Sequence, residues 1–359
     1  MKLEPDINEE LLAVEETAVK KSRPKALLKI AGLAAGILLI YFFLKKSNLA
    51  DIQTQLDTIG FRFAYLVAIM FISFYTDSIG WKYCFPVKPA GVSLWRLFLI
   101  RLAGESLAQI NPTNVIAGDT MKAVLLKRDK IPYTNSIVSL TIYRFITILA
   151  AVTFIVIGVY VFFDYLNLLG NQYSIIVVAG IIVGLLLFLM HRLRSGMGIL
   201  SIPVKLINRF FHDSEKMHKT ADKLLEIDKE LIDFYRTKKA HFAIAYIMSI
   251  LHRCPEIIEY YLILQLIGID ATLLSCVAVS VGVTVFKALG SFIPGQLGIE
   301  EYGNKVMLDF VKISGSGVWL TVSILRRARQ IVWIGAGIGA FAYLMRGGRA
   351  ETAPVKGEG

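Results

Sequence analysis

Apolar runs long enough to cross a bilayer recur along this chain, and that recurrence limits its fold more than any other feature. Runs near residues 61–80, 134–163, 172–190, 240–267 and 316–345 each approach the ~20 residues that about 30 Å of hydrocarbon requires. A further run, Ile30–Leu44, follows a basic stretch and ends at Lys45-Lys46 with no small-residue cleavage site, so it reads as a retained first helix. The chain is 55% hydrophobic and only 19% charged, which excludes a water-soluble fold. In hydrocarbon every backbone polar group needs an internal partner, and runs of this length satisfy that as helices. The expected class is therefore an all-α polytopic membrane protein.

The excess of Lys and Arg, +11 overall, lies in segments that flank the apolar runs. That placement suits an anionic lipid surface facing the cytoplasm and argues against a nucleic-acid partner. Cys84, Cys254 and Cys276 are odd in number and lack metal-ligand spacing, so they read as small apolar residues. The five histidines form no ligand cluster, and no nucleotide-binding or nucleophile motif occurs. No catalytic residue, metal or cofactor is expected, and the chain reads as a non-enzyme.

Two segments differ in kind. Residues 92–130 and 271–312 each begin as an apolar helix, break at Pro and Gly, and resume as a shorter amphipathic helix. If 92–130 crossed fully, Lys122, Lys127, Arg128 and Lys130 would fall outside the cell, against the positive-inside tendency. A segment that dips in and returns keeps them in the cytoplasm. The same rule places the 191–239 insertion, with its eleven Lys and Arg, and both termini inside. It requires 271–312 to enter from the opposite face. The expected architecture is about six full spans plus two re-entrant helical hairpins, eight hydrophobic segments in all, arranged as an inverted repeat.

The repeat has matching offsets. Pro112 is followed seven residues later by Asp119 and thirty-two later by Arg144; Pro294 is followed at the same offsets by Glu301 and Arg326. Each break opens a helix whose free N–H groups and positive dipole end suit an anion such as a lipid phosphate. Arg101 with Glu105, and Arg253 with Glu256 and Glu259, fall at helical spacing that allows internal pairing. Arg326 and Arg329 share a face, with Arg327 beside them. An Arg at the bilayer centre costs at least ~2.5 kcal/mol, so Arg144 and Arg326 require a partner or a wet cavity. Two readings stand side by side: ion pairs that hold the hairpins, including Asp119 with Lys122 and Glu301 with Lys305, or a lipid or ion pathway. Trp81, Trp95, Trp319 and Trp333 read as interface anchors.

Several of these residues carry a resemblance. Gly80-Trp81-Lys82, Pro112 with Gly118-Asp119 and Lys122, Arg144, Pro294-Gly295 with Gly298 and Glu300, and Arg326-Arg327 follow one another in an order that resembles the transmembrane region of lysylphosphatidylglycerol synthases, a flippase-like family. The similarity runs over roughly residues 25–345. It departs from the family at Lys122, where many members have Arg, at Tyr143, where Glu is common, and at Gln296, which interrupts a glycine-rich turn. The family's soluble aminoacyl-transfer domain is not among these 359 residues, so the resemblance implies the translocation part without the synthase part.

The expected domains are an acidic then basic cytoplasmic tail at 1–26, a flippase-like membrane domain at 27–346 and a flexible tail at 347–359. The expected place is the cell (inner) membrane, multi-pass, with both termini cytoplasmic. The expected function is to translocate or bind an anionic or polyprenyl-type lipid. Arg144, Arg326 and Arg327 would neutralise the headgroup, and Asp119, Glu300 and Glu301 would gate the cavity or balance its charge. The alternative is a non-transporting scaffold for an envelope-lipid enzyme. Membrane lipids are the expected partners, with a second copy of the chain or an envelope enzyme as the protein partners consistent with it.

Overall fold

In a computed structural model, residues 59–89, 91–110, 115–165, 215–290, 293, 296, 298–313, 315 and 317–347 are described, with scattered helical residues between 177 and 196. The N-terminal tail, the run Ile30–Leu44, the prolines Pro112 and Pro294, most of the span at 172–190 and, of the tail expected at 347–359, residues 348–359 lie outside them. Among the described residues the secondary structure is helical, with no strand.

The main helices are α1 (Phe63–Lys82), α2 (Leu94–Ile110), α3 (Val115–Arg128), α4 (Tyr133–Tyr165), α5 (Glu215–Thr237), α6 (Lys239–Leu251), α7 (Cys254–Leu266), α8 (Leu273–Leu289), α9 (Ile299–Phe310) and α10 (Val318–Gly347). Three stretches are long and apolar enough to span a membrane: Gly60–Lys82, Tyr133–Phe162 and Val318–Arg346. They correspond to the runs expected at 61–80, 134–163 and 316–345.

The run at 240–267 is not one continuous helix. It breaks at His252-Arg253 into α6 and α7, with Pro255 in the first turn of the second piece. A proline is tolerated there because the first-turn N–H groups have no intrahelical partner. Both pieces pack along α1. The Ser73 hydroxyl of α1 donates to the His252 carbonyl at 2.9 Å, so the broken backbone is met by a side chain.

The two broken segments fold as helical hairpins. In the first, α2 lies against α3 with Gly104 facing Gly118: a Cβ on Gly118 would stand 2.7 Å from the Gly104 carbonyl oxygen. Arg96 and Asp129 form an ion pair across the open end. In the second, α8 lies against α9, and a Cβ on Gly303 would meet Phe286 at 3.1 Å. Small residues at these crossings let the arms approach closely.

α10 orders the two hairpins. Its early residues pack on the second one, with Asn304 of α9 donating to Ser323 at 2.9 Å. Its later residues pack on the first one, where a Cβ on Gly337 would lie 2.6 Å from the Leu102 carbonyl oxygen. The open end of the first hairpin reaches the end of α10, where Arg128 donates to the Met345 carbonyl at 3.2 Å. The hairpins therefore lie along α10 from its opposite ends, and Gln109 and Gln296, which flank the two breaks, both reach the middle of α10 at Gln330 and Arg327.

Two apolar cores sit at the two ends of the bundle. One gathers Trp81, Leu97, Ile142, Leu231, Phe242 and Leu344. The other gathers Leu66, Tyr260, Cys276, Leu308 and Val322. Trp81 is fully buried and donates to Ser139 at 3.2 Å, so it is a core residue and not an interface anchor. Trp333 also departs from that expectation, because in the middle of α10 it meets the Phe74 ring edge to face. Trp95 is exposed near the start of α2, as an anchor requires. Cys84 and Cys276 are buried, whereas Cys254 is exposed and is not a packing residue.

Candidate functional site

Ionisable side chains gather between the two apolar cores. An unpaired charge in so apolar a setting is costly, and most of these are paired. On the first hairpin the pairs form an alternating series. Arg101 contacts Asp77 of α1 directly and Glu105 at 3.7 Å. Lys122 crosses from α3 to Glu105 at 2.6 Å and reaches Asp119 at 3.2 Å. Arg144 of α4 closes the series on Asp119 at 2.7 Å. Gly104 makes the crossing possible, since a Cβ there would lie 2.6 Å from Lys122 Cγ.

The second hairpin has its own set. Arg326 donates to Glu259 of α7 at 2.8 Å and to Glu300 at 3.1 Å, and its guanidinium lies 4.3 Å from the centre of the Tyr260 ring. Arg329 shares Glu259 at 2.5 Å. Arg327 donates to Glu301 at 2.7 Å, to the Gln296 carbonyl at 3.1 Å and to Gln330 at 2.6 Å.

Gly298 precedes α9 with φ of +79°, a conformation glycine adopts without strain. Its N–H donates to Glu301 Oε2 at 2.7 Å, as in a capping box. With Glu300 also in the first turn, the positive end of α9 faces the chain's own carboxylates. The expected anion site at this helix start is therefore filled from within the protein. The start of α3, its counterpart, lies at the edge of the described residues.

The expected site residues are brought together in two groups. Gly118, Asp119, Lys122 and Arg144 cluster on the first hairpin, and Gly298, Glu300, Glu301, Arg326 and Arg327 on the second. The match between the repeats slips by one residue in space. Glu301 pairs with Arg327, so Arg327 and not Arg326 is the counterpart of Arg144. Asp119 does pair with Lys122, but Glu301 goes to Arg327 where Lys305 was expected. Arg253 lies over the Phe154 ring at 5.5 Å, and no ion pair joins it to Glu256 among the described residues.

A cavity of about 280 Å³ opens where the tips meet. The first hairpin contributes Arg101, Glu105 and Gln109, and the second contributes Lys287, Gln296 and Glu300. α1, α7 and α10 complete the wall with Asp77, Glu256 and Arg326. A second, smaller chamber of about 170 Å³ lies against α3 and α4 and shares Asp77, Arg101, Glu105 and His252 with the first. Arg326 and Glu300 line the larger cavity, while Asp119, Lys122 and Arg144 line the smaller one.

The sequence reading passed over Asp77 and Lys287, and both had a usable signal. Each is a lone ionisable residue inside an otherwise apolar helix, which marks a functional position in a membrane segment. Lys287 stands out further. Among the described residues it has no carboxylate within 4.0 Å, whereas the neighbouring arginines are paired.

No curated protein and no solved structure matches the chain. The family described as the lysylphosphatidylglycerol synthase TM region matches residues 29–339, which is most of the sequence. The chain belongs to the family of the transmembrane region of lysylphosphatidylglycerol synthases.

Proposed function

We propose that this protein binds the anionic headgroup of a membrane lipid in the cavity between the hairpin tips and carries it between leaflets. The observation that carries the reading is the meeting of two oppositely directed hairpins over a polar cavity lined by Lys287, which among the described residues has no carboxylate within 4.0 Å. Broken helices whose ends meet near the midplane are a recurring transporter design. Helix length supports the re-entrant reading: α3 has 14 residues and α9 has 12, or about 21 and 18 Å against ~30 Å of hydrocarbon. Membership in a lipid-handling membrane family agrees with it.

The roles divide by exposure. The Arg144 side chain is 43% exposed and joined to one carboxylate, so it is free to exchange Asp119 for a headgroup. Arg326 is 4% exposed between two carboxylates and holds the second hairpin against α7 and α10. Orientation follows from charge. Lys127 and Arg128 end α3 at the open end of the first hairpin, with Lys130 just beyond, and Lys238 reaches the Phe85 carbonyl past the end of α1, so this basic end is given to the cytoplasm. The membrane is the cell membrane, the role is non-enzymatic, and membrane lipids are the partners. The scaffold alternative has less support. The face of α5 that carries Leu231, Phe234 and Tyr235 is buried in the core and not held open for a partner.

The test is reconstitution in liposomes with a fluorescent anionic lipid, scored by surface quenching. Lys287→Gln should fold and slow lipid movement at least tenfold. Normal movement in that variant overturns the assignment of the cavity.

A further inference from the structure

The smaller chamber carries a feature that lipid movement through the larger cavity does not explain. Buried polar atoms in proteins are nearly always hydrogen-bonded. Yet among the described residues Asp77 Oδ1, Arg101 Nε, Tyr143 Oη and Arg253 Nε are buried without a hydrogen-bond partner, and all four residues line this chamber. Asp77, Arg101 and Tyr143 are each more than nine-tenths buried.

The two guanidinium groups are positioned by rings. Arg101 lies 5.2 Å from the centre of the Tyr143 ring, and Arg253 lies 5.5 Å from that of Phe154. Ring faces hold a guanidinium in place without consuming its N–H donors. Tyr143 is itself fixed by close approach to α1, where a Cβ on Gly80 would stand 3.0 Å from its ring. The orphaned set is three donors and one acceptor. Around it, four cationic side chains face three carboxylates. A ligand that satisfies this set accepts hydrogen bonds and carries negative charge.

We infer that the smaller chamber is an oxyanion site of the phosphate class, with the Tyr143 hydroxyl and the Nε–H groups of Arg101 and Arg253 as its donors. A phosphate oxygen presents several lone pairs to donors that converge from α2, α4 and the break between α6 and α7. A volume of about 170 Å³ accommodates a phosphate group with its hydration. The same chemistry is offered by a lipid phosphodiester and by free inorganic phosphate. The inference deepens the proposed function and rests on it in part, since Arg101 lines both cavities and Arg144 lines this chamber; its own donors are Tyr143 and Arg253, which do not line the larger cavity.

The full-length chain, purified in an uncharged detergent, is titrated with inorganic phosphate and, separately, with short-chain phosphatidylglycerol. The expected result is saturable binding in at least one arm. Binding by phosphate alone identifies a soluble anion, and binding only by the phospholipid identifies a headgroup. Tyr143→Phe should weaken that binding about tenfold, the effect of one hydrogen bond to a charged group. Arg253→Gln should weaken it at least as much. Because the Tyr143 hydroxyl has no hydrogen-bond partner among the described residues, Tyr143→Phe should leave the ligand-free thermal midpoint unchanged. A lowered midpoint or poor folded yield shows a hydroxyl already used by the fold, and overturns the assignment. So does saturation in neither arm, or binding indifferent to both substitutions. If Lys287→Gln stops lipid movement while Tyr143→Phe leaves phosphate binding intact, the oxyanion site falls and the transport reading stands.

Discussion

Gln330 accepts a hydrogen bond from Arg327 and donates one to Gln109 at 2.7 Å, so that a single side chain of α10 joins the tip of the first hairpin to the ion-pair set of the second. Arg327 continues the link to the Gln296 carbonyl in the second break. Neutral amides bridge two charged clusters without adding charge to the middle of the bundle. The tips are thus tied through α10, although the hairpins enter from its two ends. Movement of one tip relative to α10 strains the contacts of the other.

The arginines that occupy equivalent places in sequence should behave differently. Arg326→Ala leaves the buried Glu259 with Arg329 alone and Glu300 with only a 3.6 Å approach to Arg327, and should destabilise the protein by about 3 kcal/mol, seen as lost folded yield in size-exclusion chromatography. Arg144→Ala removes a half-exposed pair and should change stability by no more than about 1 kcal/mol. Equal losses in the two variants contradict the division of roles.

Function should separate the same residues in another way. Arg144→Ala is expected to fold yet lose lipid binding or movement in the liposome assay. Arg144→Lys should recover only part of it, because an ammonium cannot grip a phosphate with two parallel hydrogen bonds. Full activity in Arg144→Ala removes this residue from the headgroup path.

The first hairpin should be intolerant of a methyl group at its crossing. Gly118→Ala places a Cβ 2.7 Å from the Gly104 carbonyl oxygen and should cost about 1–3 kcal/mol, read as a lower thermal midpoint. Gly335→Ala in α10, where a Cβ meets nothing within 4 Å, is the matched control and should leave the midpoint unchanged.

Topology is open to chemical labelling. With the open end of the first hairpin facing the cytoplasm, as proposed, a single cysteine at Lys127 should resist an impermeant thiol reagent in intact cells. One at Lys312, at the open end of the second, should react. Ready labelling at position 127 contradicts entry of the first hairpin from the cytoplasm.

Much of the architecture was legible in the sequence because the physics behind it is local. The length of an apolar run decides whether a helix can cross hydrocarbon, and α1, α4 and α10 fall where the runs lie. A Pro/Gly break decides where a helix stops, so both hairpins could be placed before any contact was known. The pairing of charges was not local. Arg326 finds Glu259 sixty-seven residues away, and Arg101 finds Asp77 on another helix; no spacing along the chain encodes either partner. Asp119 and Glu301 occupy equal offsets after their prolines, yet a one-residue difference in how α10 presents its arginines gives Glu301 to Arg327. Trp81 lies near the end of its apolar stretch, yet neighbouring helices bury it, and Trp333, near the middle of its own, is brought beside Phe74. Sequence alone determined which residues are too polar for lipid. Tertiary packing decided which of them neutralise one another and set Lys287, among the described residues, more than 4.0 Å from any carboxylate, because that depends on which helix faces are brought within a few ångströms.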